Sequence, residues 1–198
     1  MSFTVAPFCG AVVAYDLSQD MLAAVAGEAA RREFANLSTR QGKAEALPFE
    51  DASFDWVVSR YSAHHWHDLA AGLREARRVL KPGGSAVFMD VVAPGWAAAD
   101  TFLQAVELLR DPSHGRDYTR SEWLAHAHDA GFVVEQETPR RLRLEFSSWV
   151  TRIRTPELHV SAIRALELAA STEVARHFEI EPDGTFTLDT LTLIMRAG

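Results

Sequence analysis

Short apolar runs, each followed at once by an amphipathic stretch, set the tightest limit on this fold. Ala11-Val12-Val13-Ala14-Tyr15 is nearly all apolar and too short for a buried helix. Such a run suits a strand covered on both faces, as in a parallel sheet. Asp16 closes it, and Ser18 stands where a helix cap belongs. Met21, Leu22 and Val25 open an apolar helical face that continues towards Phe34. The alternation then repeats. Ser38 to Gln41 is a weaker strand ended by Gly42, and Phe54 to Ser59 is a stronger one. Asp68 can cap the next helix, where Leu69, Leu73, Ala76 and Leu80 recur at spacings of three and four. Lys81-Pro82-Gly83-Gly84 stops that helix, since proline cannot continue it and glycine permits the turn. Ala86 to Val92 follows as another buried strand. Strands alternating with helices predict βαβ units and a parallel sheet.

The pattern changes after Pro94. Trp96 to Arg110 and Ser121 to Ala130 have helical periodicity, and Phe132 to Glu137 is a strand. Leu142 to Phe146 alternates like a short exposed strand, Ser147 to His177 is mostly helical, and Thr185 to Met195 is the last strand. No repeat or low-complexity linker interrupts the 198 residues, so residues 1–198 are expected to form one domain. The stretches at about 96–130 and 147–180 are its helical cover. A net charge of −7 argues against a nucleic-acid partner. A lone thiol, Cys9, cannot make an internal disulfide. No run approaches the roughly 18 apolar residues of a membrane helix, and no charged, apolar leader opens the chain. A cytoplasmic location without membrane insertion is the expectation.

Three places could carry chemistry. Asp16 sits at the tip of a parallel strand, where open α/β sheets bind ligands, and a carboxylate there can accept from vicinal ribose hydroxyls. It could equally do no more than cap the next helix. Gly42 to Phe49 ends a strand with the apolar turn Leu47-Pro48-Phe49, whose backbone could meet an adenine edge or simply turn. Ser59-Arg60-Tyr61-Ser62-Ala63-His64-His65-Trp66-His67-Asp68 holds three histidines in four residues. No cysteine or acidic pair completes a metal site of ordinary spacing there, so no metal is expected. A histidine base at a ligand crevice is the better reading, set against plain packing of the loop.

In this order, these segments resemble class I S-adenosylmethionine-dependent methyltransferases. Val12 to Leu22 is similar to the family's second motif and Gly42 to Phe49 to its third, with Lys43 where an acid is usual. Phe54 to Ser59 resembles the fourth strand, and Glu75 to Gly84 the helix and turn before the fifth. The nearest branch is the small-molecule one that includes ubiquinone and menaquinone biosynthesis methyltransferases. The resemblance implies a Rossmann-like, mostly parallel sheet whose last strand is antiparallel. It implies S-adenosylmethionine as cofactor and a small-molecule acceptor. Asp16 would hold the ribose, with Leu17 and Met21 lining that pocket. Ala44 and Glu45 would sit by the adenine, and Ser59 and Arg60 beside the methionine end. His64 and His65 would approach the reacting centre.

The family's opening strand and glycine-rich loop have no counterpart here: Ser2 to Phe8 matches only the helix after that loop, and no G-x-G occurs anywhere. The expected sheet therefore lacks its first strand and has two unpaired inner edges. That gap supports a second expectation, of a truncated, non-catalytic relative that serves as a binding module or homo-oligomer. A nicotinamide dehydrogenase shares the acid after the second strand, but it calls for a G-x-G-x-x-G before Asp16.

Overall fold

The computed structural model describes residues 1–198. A short helix α1 (Ser2–Val5) and a 3-10 turn lead into β1 (Val12–Asp16), α2 (Gln19–Arg31) and β2 (Leu37–Gln41). β3 (Phe54–Arg60), α3 (Leu69–Val79) and β4 (Leu80–Val91) complete the alternating half. The cover and closing strands are α4 (Ala97–Arg110), α5 (Arg120–Asp129), β5 (Phe132–Leu144), α6 (Phe146–Thr151), α7 (Glu157–Ala169), α8 (Thr172–His177) and β6 (Phe186–Ala197).

The strands form two sheets that share no hydrogen bond. β1 pairs with β2 in parallel, and β3, β4, β6 and β5 lie side by side in that order. β3 and β4 are parallel, and β6 runs antiparallel to both its neighbours. The antiparallel last strand and the interrupted sheet both match expectation. β1 and β3 each keep one edge unpaired. On β3 the consequence is visible at Trp56 and Val58, 57% and 37% exposed.

Two boundaries depart from the sequence reading. α3 ends at Val79, one residue early, and Lys81-Pro82-Gly83-Gly84 lies inside β4. The register explains this: Phe54 pairs with Leu80 and Trp56 with Ser85, so the extra residues bulge from β4. Gly83 has φ +73°, the left-handed turn that this bulge needs. The two strands expected at 132–137 and 142–146 are one continuous β5. Pro139 does not break it because β5 is an edge strand, where a missing N–H can face solvent.

Both large apolar clusters lie beyond β2. One cluster joins Leu73 and Ala76 of α3, Phe88 of β4, Trp123 of α5, and Leu193 and Met195 of β6. The other joins Leu103 of α4, Trp149 of α6, Ile163 of α7, Phe178, and Phe186 and Leu188 of β6. The β1–α2–β2 unit adds residues to neither. It leans on the rest through aromatic edges, Tyr15 against Phe49 and Phe49 against Phe54, with ring centroids 5.7 and 4.9 Å apart.

Candidate active site

Asp16 ends β1. One of its carboxylate oxygens accepts the Ser18 N–H at 2.8 Å, and Ser18 in turn caps α2 by accepting from Met21 N–H. The other oxygen has no protein donor. The chain crosses this strand end closely on the β2 side: Gly42 N–H donates to the Asp16 carbonyl at 3.1 Å, and the Tyr15 hydroxyl donates to the Lys43 carbonyl at 3.0 Å. A Cβ on Gly42 would come within 1.9 Å of that hydroxyl, so glycine is required. Leu17 and Met21 are exposed at the same strand end.

The segment after Gly42 is held from below by one helical turn of α3. Arg78 donates to the carbonyls of Leu47 and Phe49 and to the carboxylates of Glu75 and Asp51, at 2.7–2.9 Å. Glu75 also accepts the Leu47 N–H at 2.7 Å. Glu45 faces the other way. Its carboxylate accepts the backbone N–H groups of His67 and Asp68, at 2.7 and 3.3 Å. The segment after β2 is thereby tied to the histidine loop after β3.

That loop begins at Ser59 and Arg60, which pair with Phe88 and Met89 of β4. Tyr61 follows with φ +49°, an uncommon conformation that turns the chain into the 3-10 turn Ala63–His65. His64 Nδ1 lies 2.5 Å from Asp90 Oδ1, with its side chain mostly buried. Burial disfavours the imidazolium, but the hydrogen bond and charge of Asp90 outweigh it and raise the pKa to about 9. His65 goes the other way. Burial, then the charge on His64, lowers its pKa below the ordinary 6.5. Its Nδ1 meets the Ser113 carbonyl at 3.1 Å. A carbonyl can only accept, so Nδ1 carries the proton and Nε2 keeps a free lone pair. The Ser113 hydroxyl and N–H both donate to Asp111, at 2.7 and 2.9 Å, which fixes the carbonyl that orients His65.

Below the histidines lies a polar cluster that local sequence did not reveal. Asp90, Glu107, His114 and Asp117 are all buried. Gly115 and Arg116 donate backbone N–H groups to the His64 carbonyl, at 2.8 and 3.0 Å, docking the 111–119 loop on the 3-10 turn. A Cβ on Gly115 would press to 3.1 Å against the carbonyls of His64 and Trp66. One signal was available: Asp90 interrupts the apolar run Ala86 to Val92, and a carboxylate there must find donors. It takes them from Ser62, Ala63 and Val91 N–H as well as from His64.

The expected site residues thus occupy two stations. Asp16, Leu17 and Met21 stand at the end of β1. Ser59, Arg60, His64 and His65 stand at the end of β3, and Ala44 and Glu45 lie between. No hydrogen bond or ring contact joins Asp16 directly to the histidines. A pocket of about 430 Å³ lies elsewhere, lined by Val150, Arg154 and Val160 among others. It is open and holds none of these residues.

The methyltransferase-domain family matches residues 2–88. The chain is 53% identical over 190 residues to the uncharacterized protein YafE of Escherichia coli, covering 96% of this chain and 92% of that one. It is 34% identical over 150 residues to YcgJ of Bacillus subtilis, an uncharacterized methyltransferase, covering 76% of this chain and 59% of that one. The crystal structure of YcgJ superposes with a TM-score of 0.92 at 30% identity, over 98% of this chain and 85% of that one. A demethylmenaquinone methyltransferase of Chlorobaculum tepidum is 41% identical over 83 residues, 42% of this chain and 32% of that protein. The chain thus spans a third to three-fifths of the length of these two named methyltransferases. By sequence and by fold, it belongs to the methyltransferase-domain family of class I, Rossmann-like methyltransferases.

Proposed function

We propose that the chain is an S-adenosylmethionine-dependent methyltransferase for a small-molecule acceptor, working in the cytoplasm. In this reading the cofactor's ribose sits on Asp16 and the acceptor sits at the histidine loop. The observation that carries it is the Glu45 clamp, 2.7 Å from His67 N, which makes one rim of the segments after β2 and β3. The Asp16 rim suits the cofactor. Its second carboxylate oxygen is free to accept from hydroxyls, and Leu17 and Met21 offer exposed apolar surface beside it. Lys43 stands where the family usually has an acid, so the adenine amino group is left to backbone groups at Ala44 and Glu45. Ser59 and Arg60 border the methionine end.

The bound cofactor supplies an electrophilic methyl on a sulfonium centre. The protein's part is alignment, exclusion of water and proton handling. His65 presents Nε2 as a lone pair and takes the proton that an O–H, N–H or acidic C–H acceptor must lose. The imidazolium of His64, whose ring centroid is 4.2 Å away, favours negative charge on the acceptor at that moment.

A second reading also has an observation behind it. The open edges of β1 and β3, with Trp56 bare on one, suit a non-catalytic module that pairs with a second copy. Calorimetric titration of the 198-residue chain with S-adenosylmethionine and S-adenosylhomocysteine separates the two. The expected result is saturable binding that Asp16→Asn weakens by about tenfold, the loss of one buried polar contact of roughly 1.4 kcal/mol. No binding at millimolar cofactor, together with a dimer by light scattering, would replace the enzyme reading with the module.

A further inference from the structure

We propose that His64, Asp90 and Asp117 form a buried site for one divalent cation of the zinc or manganese type. Each residue offers one donor atom, and the three atoms lie within 4.8 Å of one another. They come from the turn after β3, the end of β4 and the loop before α5, so only the folded chain brings them together. Asp117 points to a ligand independently. Its side chain is wholly buried, and neither carboxylate oxygen has a hydrogen-bond partner. A carboxylate that stays charged when buried is paired or bound to metal. The neighbouring His114 repeats the sign. Its Nε2 is 2.9 Å from the Gln104 side-chain oxygen, while its Nδ1 is buried and unpartnered.

The buried carboxylates are unevenly partnered. Asp90, Glu107 and Asp117 are three buried carboxylates. His64 neutralises Asp90, and Arg110 stands 3.7 Å from Glu107. Asp117 has only the His114 imidazole within ion-pair distance, at 3.9 Å. One imidazole and two carboxylates make a mixed nitrogen and oxygen donor set, which suits zinc, manganese or ferrous iron over softer or purely oxygen-seeking ions. A larger ligand does not fit: the crevice that reaches Asp90, lined by Phe88, Trp123, Leu191 and Leu193, has no free volume even for water. Metal–ligand bonds of about 2.0–2.2 Å would part His64 Nδ1 and Asp90 Oδ1, now 2.5 Å apart, by roughly an ångström and draw Asp117 towards them. His64 would release to solvent the proton it now shares with Asp90, and the ion would take that place. The backbone donors on Asp90 would fix the orientation of its carboxylate. The site would pin the 111–119 loop, and with it Ser113, against the histidine turn. None of this depends on the methyltransferase reading.

The test uses the full chain, stripped with chelator and titrated with Zn²⁺ or Mn²⁺ alone. Elemental analysis after desalting and calorimetry should both give one ion per chain. Asp117→Asn keeps the shape of the side chain and should weaken binding by about tenfold or more. Absence of binding at millimolar ion overturns the proposal, and so does unchanged affinity in Asp117→Asn. Should that variant fail to fold, imidazole NMR of the unmodified chain decides. Loss of the Asp90-bonded His64 proton on adding zinc supports the site, and an unchanged His64 spectrum overturns it.

Discussion

His65 shows how far a single residue's role depends on partners distant in sequence. The sequence places two adjacent histidines at a strand end and cannot tell them apart. The fold separates them: Asp90, 26 residues away, holds His64 charged, while burial and that charge lower the pKa of His65, and the Ser113 carbonyl, 48 residues away, orients its ring with Nε2 free. His65→Gln preserves a polar side chain but cannot carry a proton away. With a proton-bearing acceptor, kcat should fall by about 10²–10⁴-fold while cofactor affinity stays unchanged, as single-turnover assays and calorimetry would register. Equal kcat in the variant would remove His65 from the proton path. The strand end at Asp16 and the turn at Gly42 were legible because their neighbours in sequence state them. Asp90, Ser113 and Asp117 were not, because their partners exist only after the sheet and the loop meet.

Among the elements, strands and long helices were readable from period alone, whereas joins were not. β5 and β4 both run through segments that look like breaks, because sheet position decides whether a proline or a bulge is tolerated. α6 has only six residues, too few to stand on propensity, and it depends on its first turn. Glu145 accepts the N–H groups of Ser147 and Ser148, at 3.0 and 2.7 Å. Hydrogen bonds from Ser148 and Ser147 lower its carboxyl pKa from 4.5 to about 2. A depressed carboxylate pKa stabilises the fold fully above the unfolded value and ceases to do so as pH falls through the folded one. The cap should therefore hold above pH 4.5 and be lost as pH drops towards 2. Trp149, buried in the same helix, reports this through its fluorescence. Glu145→Gln should show a weakened α6 already at neutral pH and a flatter acid limb. An acid limb identical to that of the unmodified chain would exclude the cap as its source.

At the scale of the whole molecule, the fold class and the interruption of the sheet followed from motif order, but the separation of the core did not. No periodicity distinguishes an apolar strand that joins a core from one that stands apart. Val12–Asp16 and Phe54–Arg60 look alike in sequence, yet all of the core clustering lies on the β3 side. The β1–α2–β2 unit buries little more than Ala14, Leu22 and Ala29 of its own. Cooperativity requires shared buried surface, and these two bodies meet mainly at the rings of Tyr15, Phe49 and Phe54, with the Arg40 guanidinium over Phe49. Hydrogen exchange should therefore resolve two opening reactions. Amides of β1 and β2 should exchange at rates set by local opening, and those of β4 and β6 at rates set by global unfolding. Ligand held at the Asp16 rim would then slow exchange mainly in the first body, so cofactor binding would act as a fastener between two independently breathing parts.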